Sequence, residues 1–342
     1  MPFLPVGGQA VIEGVMMRSP SRVAVAVRRL DGSIVFKERR FVSVTRRVRA
    51  LGLPVVRGGV SLFETLSLGI AALNFSADEA TRDETQPPSR ASDPTGAAAR
   101  STSPVAGPAG ANTGAANAPA AAKPSVLQSA GQLLTVAVSL GLGVLLFVVL
   151  PARLTGWLGF HDRIGFGLMD GLFRLLAFIA YLLLISQWRE MRRVLGYHGA
   201  EHKAIHALEN GAPLTPEVVQ RFSRFHPRCG TSFLFLVVVI SVFAFTWIGK
   251  PHSITGHLAR IAAMPLIAGV AFEFIRLSGK FPDSPWMRWL IWPGLQFQRL
   301  TTREPDQEMC AVAVAALEHV RTDPALVEAE RKAERAALAF IQ

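Results

Sequence analysis

The chain has 342 residues, half of them hydrophobic, and a mean hydropathy of +0.32, which excludes an average soluble protein. Its net charge of +11 comes without any RNA- or DNA-binding motif, so the basic excess reads as a cytoplasmic loop bias and contact with anionic lipid, and no nucleic acid is expected. Two cysteines, Cys229 and Cys310, cannot build a disulfide framework and are expected as reduced thiols.

Residues 1–77 read as a small cytoplasmic α+β element. GGQAVIEGVMMRSP (7–20) pairs glycines with an unusual Glu-Gly-Val-Met-Met-Arg string. Gly7, Gly8 and Gly14 suggest special backbone angles or a close approach to another element. One reading is a loop packed over a metal site that offers Glu13 as a further ligand or base; the other is plain hairpin packing. VAVAVRRLDGSIVFKERRFVSV (23–44) alternates apolar and polar residues about Asp31-Gly32 and predicts a hairpin. GGVSLFETLSLGIAALNFSA (58–77) predicts a helix with a broad apolar face, lying on the membrane or packed in a bundle. Residues 78–125 are mostly Ala, Pro, Thr, Ser and Gly, and are expected to form a disordered linker because such a stretch buries too little apolar surface to offset its chain entropy.

Four windows, near 126–150, 165–187, 231–249 and 254–275, are long and apolar enough to cross a bilayer, which needs about 20 residues. The fold class expected is mainly α: a polytopic membrane bundle of about four spans with the N-terminal element attached. Basic residues crowd the segment before the first span, the 188–230 loop and the segment after the fourth span. Both termini and that loop are therefore expected in the cytoplasm. No cleavable signal peptide is expected, since the first of these spans starts beyond residue 125. Residues 276–342 combine an interfacial segment carrying Trp286, Trp289 and Trp292 with soluble, charge-patterned helices.

The 188–230 loop holds GYHGAEHKAIHALENG (196–211). On a helix, His198, His202, His206 and Glu209 share an arc of about 80°, with Glu201 to one side. His198-Gly-Ala-Glu201-His202 fits H-x-x-E-H, in which two histidines one turn apart ligate a metal and the glutamate holds a water as general base. His206 lies about 12 Å from His198 along the axis, too far for the same ion, so it pairs with His202, serves a second metal or supports the first. The pattern is short, and a polar helix face turned to water would produce it too. His226-Pro-Arg-Cys229 adds a spacing that lets imidazole and thiolate reach one ion; a tight turn entering a span explains Pro227 but not His226. Glu273, inside the fourth window, needs a partner and is a third candidate at the same rim, with a salt bridge to Arg276 or Arg174 as the bland alternative. Asp170 and Arg174, spaced i, i+4, are expected to satisfy one another.

GGQAVIEGVMMRSP, GYHGAEHKAIHALENG and HPRCGTSF (226–233) together resemble the YqhQ-like uncharacterised membrane proteins of bacteria, over nearly the whole chain apart from 78–125. The resemblance implies a multi-pass protein of the bacterial inner (plasma) membrane, in a family described as predicted metal-dependent enzymes without a proven activity. It marks Glu13, Gly14, His198, Glu201, His202, Lys203, His206, His226 and Cys229 as family positions.

The first functional expectation is a cytoplasm-facing metal-dependent hydrolase acting on a membrane-associated peptide or lipid. Its divalent metal would be zinc, with iron and manganese open. His198 and His202 would be ligands; Cys229, His226 or Glu273 would supply the third position. Glu201 would be the base, and Lys203 or Arg228 would stabilise developing negative charge. The alternatives are a non-catalytic assembly or scaffold protein, whose His198, His202, His226 and Cys229 close a structural metal site, and an ion or small-solute transporter using Asp170, Arg174 and Glu273. Expected partners are the lipid bilayer and a membrane-associated substrate or protein, and a homo-oligomer stays open.

Overall fold

The computed structural model describes residues 4–85, 126–160, 162–227, 229–251, 253–280 and 284–331. Arg228 and residues 86–125 therefore lie outside the described residues. Four antiparallel strands come first, β1 (Gly7–Val11), β2 (Gly14–Arg18), β3 (Arg22–Arg28) and β4 (Ile34–Arg40), paired in chain order. The expected hairpin is β3–β4, with Ile34 opposite Arg28 and Gly32 at φ +83° in its turn. A second hairpin, β1–β2, accounts for the Glu13-Gly14 string. Glu13 takes φ +50° in a tight turn, and a Cβ on Gly14 would stand 2.2 Å from the Ala26 carbonyl of the neighbouring strand, so only glycine fits there.

The helices are α1 (Val44–Arg47), α2 (Val56–Thr85), α3 (Val126–Val144), α4 (Leu150–Trp157), α5 (Arg163–Ile185), α6 (Arg189–Glu209), α7 (Pro216–Val219), α8 (Gly230–Ile248), α9 (Ile254–Lys280), α10 (Pro285–Thr301) and α11 (Gln307–Arg321). A π-turn at Leu145–Val149 joins α3 to α4. Among the described residues, five helical segments are long and apolar enough to cross a membrane: Val56–Ala80, Leu134–Trp157, Arg163–Ile185, Gly230–Ile248 and Ile254–Leu277. The sequence reading counted about four such segments and took the 58–77 stretch of α2 as an apolar-faced helix lying on the membrane or packed in a bundle. Helix α2 also continues to Thr85, so residues 78–85, expected in the linker, are helical.

Both faces of the sheet are buried, as the run VAVAV requires. Val15, Met17, Ala24 and Ala26 pack on α6 and α11, while Val11, Met16, Val23 and Val25 pack on Leu68 and Ala72 of α2. The sheet is thus a middle layer between α2 and the α6–α11 pair. Polar ties run along both contacts. Arg29 pairs with Glu79, and Arg18 lies 3.7 Å from Glu64 of α2. On the other side Asp323 accepts from Ser19 Oγ and Ser21 N–H, each at 2.7 Å.

Among the long helices, α5, α8 and α9 pack together and bury one charged cluster. Asp170 Oδ2 lies 3.1 Å from Arg174 and 2.9 Å from Arg260, and Arg260 also donates to the Gly249 carbonyl at the C-terminal end of α8. The i, i+4 pair read from the sequence is therefore two members of a triad whose third, Arg260, was missed. A buried charge is tolerated at this depth when it is paired and hydrogen-bonded, as these are.

Candidate functional site

The site lies at the opposite end of α8, where Cys229 caps the helix N-terminus and its sulfur accepts from Thr231 N–H at 3.4 Å. Helix α6 brings three histidines to this point. His198 Nδ1 meets the Thr301 carbonyl at 2.7 Å, His202 Nδ1 meets the Arg224 carbonyl at 2.6 Å, and His206 Nε2 meets the Phe225 carbonyl at 2.8 Å. A carbonyl only accepts, so each of these ring nitrogens carries the proton. In the neutral ring the other nitrogen then carries the lone pair: Nε2 of His198 and His202, Nδ1 of His206. Fixing a tautomer through a backbone carbonyl is how proteins prepare an imidazole for a metal.

Two groups of metal-competent donors result, each with its ligand atoms within 4.8 Å of one another. One is His198, His202 and Cys229; the other is His206, Glu209 and His226. In the first, Cys229 Sγ is 3.2 Å from His198 Nε2. In the second, His226 Nε2 is 3.2 Å from Glu209 Oε2. The four imidazoles run as a ladder, with centroid separations of 4.5 Å for His198–His202, 5.7 Å for His202–His226 and 4.7 Å for His226–His206. His226 and Cys229, expected on a common ion, fall in different groups.

Glu201 stands beside the first group, its Oε2 3.7 Å from His202 Nε2 and 4.0 Å from His198 Nε2. Burial pushes its carboxyl up to about 7, against the opposing effects of His198 and a hydrogen bond from the Gly8 backbone. A Cβ on Gly8 would lie 2.8 Å from Glu201 Cγ, so the paired glycines let β1 lie directly on this carboxylate. Burial, with His202 adding to it, pushes His226 down to about 3, which keeps it neutral. Cys310 is a free, buried thiol that burial pushes up to about 11 and that takes no part here.

The remaining candidates are placed elsewhere. The Glu13 carboxylate pairs with Arg193 and lies 3.3 Å from the Tyr197 hydroxyl. Glu273 is held by Arg57 at 2.5 Å and by the Val55 N–H at 3.3 Å, a partner on α2 that the sequence reading did not consider. Lys203 Nζ donates to the Gln220 carbonyl at 2.7 Å and pairs with Glu304 at 2.5 Å. None of the three joins either donor group.

Sequence reasoning missed Gln298 of α10. It is fully buried and clamps the turn: Oε1 accepts from His226 N–H at 2.8 Å, and Nε2 donates to the His226 carbonyl at 2.7 Å. A glutamine in a Trp-rich interfacial segment carries no signal for this role. A cavity of about 610 Å³ opens beside the first group, lined by His198, Cys229 and Thr231 together with Gln9, Thr65, Leu66, Leu73, Phe233 and Phe272.

Fold and site together define a helical protein with membrane-spanning segments that carries histidine, carboxylate and thiol donors at one end of its bundle. The family model described as "Protein of unknown function (DUF1385)" matches residues 53–323, and the chain belongs to that family. It is 29% identical over 335 residues, 95% of each chain, to "Uncharacterized protein YqhQ" of Bacillus subtilis (strain 168). No solved structure matches it significantly.

Proposed function

We propose that this protein is a membrane-embedded, metal-dependent hydrolase working at the cytoplasmic face on a membrane-associated substrate with an apolar tail. The observation that carries the reading is the His198–His202–Cys229 group, which has Glu201 alongside and two of whose donors, His198 and Cys229, line a largely apolar cavity. Three protein ligands with a position open to a cavity is the arrangement of catalytic zinc sites, whereas structural sites are closed by four. A divalent ion held there, zinc on this donor set, supplies Lewis-acid polarisation of a carbonyl or phosphoryl oxygen.

The chain's own residues supply the rest. Glu201, buried and with its proton affinity raised towards neutrality, accepts a proton from water as the new oxygen bond forms at the acyl or phosphoryl centre. It returns that proton to the leaving oxygen or nitrogen as the old bond breaks. The Thr301 and Arg224 carbonyls hold His198 and His202 in the ligating tautomer. Leu62, Leu66, Leu73, Phe233 and Phe272 make much of the cavity wall apolar, which suits an acyl chain.

The same reading places four of the five long apolar segments across the bilayer and leaves α2 on its surface. Helix α2 lies against the sheet, and the sheet also packs on α6 and α11. A crossing by α2 would put those partners on opposite sides of the membrane.

The test is Glu201→Gln in detergent-purified protein. The expected result is full metal content with at least a hundred-fold loss of hydrolysis of acyl-ester or phosphoester lipid substrates. Unchanged hydrolysis, or loss of metal in that variant, overturns the role assigned to Glu201. Absence of bound metal in the wild type after zinc reconstitution overturns the reading as a whole.

A further inference from the structure

The second donor group is left unused by this chemistry. We infer that His206, Glu209 and His226 form a second metal site, separate from the catalytic one, that pins the 224–229 turn to the end of α6. The inference goes beyond the hydrolase reading and does not depend on which reaction the first site performs.

Three observations support it. The first is spacing. A tetrahedral ion with arms of about 2.0–2.1 Å to nitrogen and oxygen has ligand-to-ligand edges of about 3.3 Å. His226 Nε2 and Glu209 Oε2 lie 3.2 Å apart, joined in the metal-free protein by a hydrogen bond whose proton the ion would displace, and all three donors lie within 4.8 Å of one another. The second is tautomer. His206 donates from Nε2 to the Phe225 carbonyl, so its lone pair sits on Nδ1. The third is enclosure. The side chains of His226 and Glu209 are 5% and 6% exposed, and neither residue lines the cavity that reaches His198 and Cys229. Substrate thus has access to the first group and not to the second.

The donor chemistry of the two groups differs as well. The first offers two imidazoles and a sulfur; the second offers two imidazoles and a carboxylate. Removing the thiol preference opens the second site to harder first-row ions such as manganese or iron(II) as well as zinc. Its function is mechanical. His226 stands three residues before Cys229 in the chain, so an ion on His226 sets where the thiolate of the first site comes to rest.

The experiment is elemental analysis and zinc X-ray absorption on the full chain in detergent after saturation with zinc and desalting. Wild type should hold two equivalents. Cys229→Ser should keep one, with nitrogen and oxygen scattering and no sulfur. Glu209→Gln should also keep one, with sulfur retained in its shell. No metal in wild type, a single wild-type equivalent with sulfur in its shell, complete loss in Cys229→Ser, or two equivalents in Glu209→Gln would each overturn the second site, whereas a single wild-type equivalent without sulfur would overturn only the first. Because Cys229→Ser leaves all three proposed ligands intact, it tests the site even if Glu209→Gln fails to fold. Activity does not enter the readout, so failure of the hydrolase reading leaves this result standing.

Discussion

The chemistry proposed for Glu201 rests on its enclosure. With its carboxyl pushed up to about 7 by burial, the metal-free protein retains a proton there that the unfolded chain, with an ordinary glutamate near 4.5, has already lost. The sign follows. Between pH 4.5 and 7 the folded state binds more protons at this residue, so its contribution to stability is full below that window and is lost as pH rises through it. His226, pushed down to about 3, has the opposite sign and loses stability as pH falls below 6.5. The two partly cancel in wild type, so the residue is read from a difference. In metal-stripped protein, Glu201→Gln should match wild type at pH 5 and exceed it at pH 8 by on the order of 3 kcal/mol, since the amide never has to carry a buried charge. Thermal unfolding of the two proteins at both pH values is the measurement. A Gln variant less stable than wild type at pH 8 would show that the carboxylate is stabilised by its surroundings.

At the scale of elements, the site is assembled by the ends of helices. Helix α6 presents the histidines, the N-terminus of α8 presents Cys229, and the last turns of α10 hold the connecting turn through Gln298 and His198 through the Thr301 carbonyl. Gln298→Ala removes both hydrogen bonds to His226, at about 1–3 kcal/mol for its buried N–H and less for its carbonyl, which still accepts from Cys229 N–H at 3.3 Å. Zinc affinity, measured by competition with a chromophoric chelator, should fall about 10- to 100-fold, the usual effect of losing support behind a ligand. An affinity equal to wild type would mean that the turn keeps its place without α10. This level also shows how much could be read from the sequence. Periodicity alone aligned His198, His202 and His206, since the helical repeat fixes their common face. The β3–β4 hairpin was legible from its alternation and its Asp-Gly turn. The division of His226 from Cys229 was not, because three residues of loop permit either pairing until α10 sets the turn. Arg57, Arg260 and Gln298 were missed for a related reason: each acts through a partner distant in sequence, on α9, α5 and the 226 turn respectively. Glu13 carried two readings because a turn residue at positive φ and a functional carboxylate leave the same trace in sequence, and its place in the β1–β2 turn fits the hairpin reading.

The whole molecule turns on α2. Its apolar content suits a bilayer, with Phe63 and Leu66 exposed on one side, yet its other side carries Glu64 and Glu79 to partners on and beside the sheet. From Glu64 to Glu79 the helix runs about 22 Å along that sheet. A helix crossing the hydrocarbon over this length would carry Arg29 and the β3–β4 turn into it, at a cost of several kcal/mol for charged groups. An interfacial position satisfies both faces: charge and sheet towards water, Phe63 and Leu66 towards lipid. It also makes α2 one wall of the cavity beside His198, open to a tail rising from the membrane. The side on which the sheet lies tests this. Leu30 in the β3–β4 turn and Trp157 at the end of α4 are both more than four-fifths exposed, and the native thiols are buried, so background labelling is low. With α2 on the surface, Leu30→Cys reacts with a membrane-impermeant maleimide only in inside-out vesicles, and Trp157→Cys only in intact spheroplasts. With α2 across the bilayer, the sheet and the α4 end share a side and both react in the same preparation. That outcome would separate the sheet from the histidine helix and would dismantle the architecture on which the site depends.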